Sequence, residues 1–171
     1  FIHIKALKNK VNHKNLDALD LISQTAEKLS AGEIMQIEKS LTRNMPKEVY
    51  YDMINQKTAS LIAASCELGA ITTTNDESDR KSTFEYGNNL GMAFQIKDDL
   101  LDHEGTTEKI GKKVGKDNQA GKATLVSILG VENAKKRCLE LCDEACESLN
   151  LFGKKSEMLK TAARFTIERG F

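Results

Sequence analysis

Three carboxylates, Asp98, Asp99 and Asp102, end an apolar run that begins at Gly91. Read as helix, Asp98 and Asp102 share a face, and Asp99 stands about 100° round, at its edge. Like charges at this spacing repel by roughly 0.2–0.5 kcal/mol in an isolated helix. A hard divalent cation offsets that repulsion. Mg²⁺ suits carboxylate oxygens and is commonly shared between a few carboxylates and a substrate phosphate. Taken alone, such a cluster is more often just a solvated helix face.

A second candidate is the stretch from Gly111 to Thr124, which holds Lys112, Lys113, Lys116 and Lys122 among three glycines. Glycines let backbone approach an anion, and lysines supply point charge, so a phosphate cradle is one reading and an ordinary surface loop the other. It is not a nucleotide-binding P-loop: Gly115 and Gly121 are separated by five residues instead of four, and Lys122 precedes Ala123 where that motif needs Ser or Thr. A phosphotransferase reading fails on that spacing. The third candidate is Lys57-Thr58, for which a snorkelling surface pair is the favoured reading when it is taken alone. Together, carboxylates and lysines without a catalytic His or Cys constellation suggest a metal-bound diphosphate. His3, His13 and His103 are scattered. Small residues at Ala59, Ala63 and Ala64 suggest a helical wall able to hold a hydrocarbon, or one that lets a neighbour approach closely.

The elements that must position these residues read as nearly all α. The chain has one proline, no run of strand-like alternation, and apolar residues recurring at three and four. Leu16, Leu19, Ile22, Ala26 and Leu29 predict a helix over roughly 15–30, which Gly32 either breaks or packs against a neighbour, and Ile34, Met35 and Ile37 continue an apolar patch to about Ser40. Pro46 suits the first turn of a helix reaching about Ile71. Asp76 or Ser78 caps the next, which ends just past Asp102. Residues 104–121 read as loop, 123–129 as a short helix, and 131–149 and 155–168 as two more. No linker divides residues 1–171, so one all-α domain is expected.

Bulk properties exclude some classes. Lys and Arg total 25, Asp and Glu 25, so the formal net charge is zero, which argues against nucleic acid as a partner. No apolar run approaches the ~18 residues of a membrane span. Cys138, Cys142 and Cys146 recur at one-turn spacing; buried thiols on a core helix are the favoured reading over a soft-metal site. Reduced thiols point to the cytoplasm.

The residues Lys57-Thr58-Ala59-Ser60-Leu61, Phe94-Gln95-Ile96-Lys97-Asp98-Asp99-Leu100-Leu101-Asp102, Gly111-Lys112-Lys113-Val114-Gly115-Lys116-Asp117 and Gly121-Lys122-Ala123-Thr124 occur in this order. In this the sequence resembles the C-terminal part of the trans-prenyl diphosphate synthases, the family of farnesyl, geranylgeranyl and polyprenyl enzymes. The resemblance runs from about residue 30 to the end. It implies an all-α isoprenoid-synthase-type bundle lacking its N-terminal helices, and usually a homodimer. It implies Mg²⁺ on Asp98, with Asp99 and Asp102 as direct or water-mediated partners. Lys57, Lys112 (or Lys113, one place along) and Lys122 would contact the diphosphate, and Thr58 and Gln95 would face the developing allylic cation. The implied reaction condenses an allylic diphosphate with isopentenyl diphosphate. The family's other aspartate-rich motif has no counterpart before Lys57, and the chain starts at Phe1, so an upstream part is expected to be missing. The alternative is a non-catalytic or partner-dependent subunit. The tail around Ala163–Arg169 resembles short-chain farnesyl enzymes, whereas Gly32-Glu33-Ile34-Met35-Gln36 resembles longer-chain polyprenyl enzymes.

Overall fold

The computed structural model describes residues 13–42, 45–104 and 124–169. All regular structure among them is helical: α1 His13–Thr42, α2 Lys47–Ile54, a π-helical turn Asn55–Ala59, α3 Ser60–Thr73, α4 Glu77–Glu104, α5 Leu125–Leu129, α6 Val131–Ser148, a 3₁₀ segment Asn150–Ser156 and α7 Glu157–Glu168. The all-α expectation holds. No helix among the described residues is long and apolar enough to cross a membrane.

Helix α4 is the centre, packed between α3 and α6. Its start is fixed by Asp76, whose Oδ1 accepts the Ser78 N–H at 2.8 Å, so Asp76 is the cap. Ala93, Ile96 and Leu100 of α4 join Tyr50, Met53, Ile54, Leu125 and Leu141 in the main core. Burying each such large side chain contributes roughly 1.5–3 kcal/mol. Arg80 ties three helices at the far end of α4, reaching Asp17 of α1 at 3.2 Å and Glu67 of α3 at 3.0 Å. The thiols behave as expected of core groups. All four cysteines are free, Cys138 and Cys142 are buried, and the Cys138 Sγ–H donates to the Ala93 carbonyl at 3.4 Å. Burial pushes the Cys138 thiol up to about 11, so it stays protonated and inert near neutrality.

Two expectations are corrected. The first helix does not stop near residue 30 but continues to Thr42, and Gly32 does not break it. A Cβ built on Gly32 would stand 2.6 Å from the Lys57 backbone nitrogen, so the missing side chain is what lets α1 lie on the π-turn. The apolar stripe of α1 is also not all inward. Leu16 is buried, but Leu19 and Ile22 are half exposed, as is Ile37. The helix meets its neighbours chiefly through small residues such as Thr25 and Gly32 and through Leu16, so apolar periodicity overestimates what it buries within the described residues.

The small residues after Lys57 serve close approach. Ala59 and Ala63 are fully buried against α4. A Cβ on Gly91 would lie 2.6 Å from the Ala59 Cα, and one on Gly87 would lie 2.7 Å from the Ala63 Cα. These alanines therefore do not form a wall facing open space; glycine backbone covers them. Gly91→Ala should cost about 1–3 kcal/mol by overpacking. Gly69→Ala, at a helical site with nothing within 4 Å of the new Cβ, should gain up to about 1 kcal/mol. Urea titrations of both variants check the contrast, and equal effects would contradict the packing described.

Candidate functional site

Lys57 and Thr58 sit inside the π-helical turn Asn55–Ala59. The α2–π–α3 segment is continuous, and the extra backbone in the turn rotates these two side chains relative to a regular helix. Such single-turn π insertions recur at functional sites. The Thr58 hydroxyl donates to Gln95 Oε1 at 3.1 Å, which brings the Lys57-Thr58 pair beside the helix that carries the aspartates. Lys57 reaches the other way, to α1: its Nζ lies 2.6 Å from Glu33 Oε2 and donates to Gln36 Oε1. Lys57 and Glu33 are both more than a third exposed, so the pair contributes little stability, roughly 0.2–1 kcal/mol.

The three aspartates are not equivalent. Asp98 and Asp102 are half-buried on α4, and Asp99 is 6 % exposed. Asp99 turns into the core. Its Oδ2 accepts the Tyr50 hydroxyl at 2.5 Å and the Leu125 N–H at 3.0 Å, and its Oδ1 accepts from Gln95 Nε2 at 3.3 Å. Leu125 opens α5, whose first N–H groups have no acceptor within the helix and favour a negative charge there. Burial, then the Asp99 charge, raises the Tyr50 phenol well above its ordinary value, so Tyr50 remains the donor. Both oxygens of Asp99 therefore accept hydrogen bonds from protein donors.

Asp98 has a different neighbour. Arg169, just beyond α7, pairs through Nη2 with Asp98 Oδ1, and its guanidinium lies 4.3 Å from the centre of the Phe94 ring. The Arg169 Nε is buried without a hydrogen-bond partner among the described residues. Asp102 has no hydrogen bond or ion pair among the described residues. Mg²⁺ needs only one or two protein carboxylates because it keeps waters and binds substrate phosphates. Asp98 and Asp102 supply that number. The described residues hold no group of three or more His, Cys, Asp or Glu fit to enclose a metal. The donor set therefore fits a cation shared with a ligand better than a closed protein cage. Lys112, Lys113 and Lys122 lie outside the described residues.

Sequence reasoning missed four participants. Tyr50 is 49 positions from Asp99, and no local pattern marks it. Glu33 and Gln36 stood out only through their resemblance to longer-chain enzymes, yet they hold Lys57. Arg169 was one residue of a tail, with nothing near it in sequence to indicate Asp98.

Comparisons with known proteins agree on one family. The family described as Polyprenyl synthetase matches residues 1–163. The chain is 38% identical over 144 residues to heptaprenyl diphosphate synthase component 2 of Bacillus subtilis (strain 168), covering 84% of this chain and 41% of that protein. It is 31% identical over 163 residues to farnesyl diphosphate synthase of Escherichia coli (strain K12), covering 90% of this chain and 54% of that one. In structure it is similar to a polyprenyl synthase from Caulobacter crescentus CB15 complexed with calcium and isoprenyl diphosphate, with a TM-score of 0.82 and 28% identity over 92% of this chain and 60% of that one. The chain thus spans about half the length of the curated relatives it matches.

The Arg169–Asp98 contact generates a prediction. Arg169 occupies a carboxylate oxygen that a cation would need, and a partly exposed pair of this kind is worth about 0.2–1 kcal/mol. Arg169→Gln should therefore tighten Mn²⁺ binding by up to about fivefold, read by electron paramagnetic resonance of the free ion. An unchanged or weaker constant would mean that Arg169 does not compete at Asp98.

Proposed function

The chain belongs to the polyprenyl synthetase family, the trans-prenyl diphosphate synthases, and on that premise we propose that it carries the allylic-diphosphate half of a Mg²⁺-dependent prenyltransferase. Residues 1–171 are read as one all-α unit, the C-terminal portion of a synthase domain. The observation that carries the reading is the Thr58–Gln95 hydrogen bond, which joins the Lys57-Thr58 turn to the aspartate helix within one turn of Asp98.

Asp98 and Asp102 would hold the cation. Mg²⁺ when bound would supply charge neutralisation on a departing diphosphate. Lys57, with Lys112 or Lys113 and Lys122, would bind the diphosphate oxygens as point charges. Lys57 starts from Glu33 and Gln36, so a diphosphate would have to outcompete that pair. Thr58 and Gln95 present oxygen dipoles that would favour positive charge on the allylic fragment. Isopentenyl diphosphate would add to that fragment, and loss of a proton would complete the condensation. The Caulobacter protein's complex with calcium and isoprenyl diphosphate supports a divalent cation and this ligand class. A homodimer in the cytoplasm remains the assembly and setting proposed.

The product is proposed to be of farnesyl length on the tail resemblance, with a longer polyprenyl product as the alternative favoured by Glu33 and Gln36. A second reading has its own support: the Bacillus relative is named component 2, and this chain covers 41% of it. On that reading the chain would work only with a partner.

The test is incubation of the natural protein with farnesyl or geranyl diphosphate, isopentenyl diphosphate and Mg²⁺, with products identified by mass. A chain-elongated diphosphate is expected, and its length assigns the product. Activity that appears only on adding a second subunit would establish the partner-dependent reading. Asp98→Ala should abolish Mg²⁺-dependent binding of an allylic diphosphate analogue in calorimetry while helix content stays intact. Binding that survives the substitution would sink the metal assignment.

A further inference from the structure

The aspartate that resemblance places with the metal ligands has a different surrounding from the other two. Asp99 Oδ2 receives two donors, the Tyr50 hydroxyl and the Leu125 N–H, and its Oδ1 accepts from Gln95 Nε2. An ionised carboxylate only accepts, so Gln95 must turn its NH₂ group toward it. That orientation leaves Gln95 Oε1 pointing to Thr58, whose hydroxyl donates to it. The Thr58 oxygen, having spent its proton, keeps its lone pairs, and Gln95 Oε1 keeps a second lone pair. We propose that Asp99 is a positioning residue acting through Gln95: it fixes the sign of the dipoles at the Thr58–Gln95 pair, so that oxygens rather than N–H groups meet the reacting fragment. Tyr50 and the first N–H of α5 hold Asp99 for this role. The inference rests on the prenyl-transfer reading above and departs from it in taking Asp99 out of the metal site.

The geometry makes Asp99→Asn a selective test. The new side-chain oxygen must take the Oδ2 position, because two donors meet there. Its NH₂ group then faces Gln95, which must turn its oxygen inward and its own NH₂ toward Thr58. The volume barely changes, but the dipole at Thr58 reverses. In the natural protein, kcat should fall by about tenfold to a hundredfold, the scale of a misplaced positioning group. KM for the allylic diphosphate and the Mn²⁺ constant should stay within about twofold, since neither Asp98 nor Asp102 is touched. In a Gln95→Ala background the same substitution should add almost nothing, because its route of action is gone. A Mn²⁺ constant weakened tenfold or more would make Asp99 a ligand and overturn the proposal. An additive loss in the Gln95→Ala background, or an unchanged kcat, would overturn it equally.

A measurement on the unmodified protein covers the case in which Asp99→Asn does not fold. One of the two Gln95 side-chain NH₂ protons, identified by their loss in Gln95→Glu, should exchange slowly with solvent because it lies on the buried Asp99 carboxylate. Fast exchange would show the amide turned the other way and would end the proposal. If the wild-type protein transfers no prenyl group even with a partner, the function proposed above fails and the catalytic role of Asp99 fails with it; the exchange rate still decides the orientation.

Discussion

A buried carboxylate is among the costlier groups to place in a protein core, and an unpaired one would shift its protonation instead of staying charged. Asp99 is retained in the core because Tyr50, Leu125 and Gln95 each donate to it. Those three donors come from three different elements. Tyr50 belongs to α2, Gln95 to α4, and the Leu125 N–H opens α5. Satisfying one charge therefore fixes the mutual placement of the segment before the π-turn, the aspartate helix, and the short helix that follows the lysine-rich stretch. Removing one donor would leave a charged group underpaired, which costs more than the hydrogen bond alone is worth. The site inherits its geometry from that requirement.

Close helix packing does the rest. Gly87 and Gly91 let α4 approach the Ala59–Ala63 stretch to distances that a side chain would forbid. That approach is what carries Gln95 within reach of Thr58. On the opposite side, Gly32 lets α1 lie on the backbone of Lys57, and Glu33 and Gln36 of the same helix then take the lysine head. The π-turn is thus clamped from both sides at positions where only glycine fits. Lys57 and Thr58 in the turn point to different partners, Lys57 to α1 and Thr58 to α4. A regular helix at the same place would present them in another direction, so the turn and the glycines form one device.

Much of this can be read in the sequence, because the chemistry-bearing residues are local and their spacing is specific. Helical periodicity placed Asp98 and Asp102 on one face and Asp99 at its edge, and the structure sends that edge residue inward. The direction was not readable, because it is set by Tyr50 and Leu125, which are 49 and 26 positions away. The same limit hid Arg169, 71 positions from Asp98. Periodicity also marked Leu19 and Ile22 as core, yet both are about half exposed among the described residues; a hydrophobic stripe reports a preference for burial and says nothing of what covers it. Gly32 was legible as either a break or a contact. Choosing between them required Lys57, on a separate helix.

The most direct test of the central claim is a crystal structure of the natural protein with Mn²⁺ and a slowly reacting thio-analogue of an allylic diphosphate, read by anomalous scattering from the metal. The account predicts a Mn²⁺ peak against Asp98 and Asp102 with diphosphate oxygens completing its shell, while Asp99 stays on Tyr50 and Leu125. A metal peak on Asp99, or a diphosphate bound away from these aspartates, would contradict it.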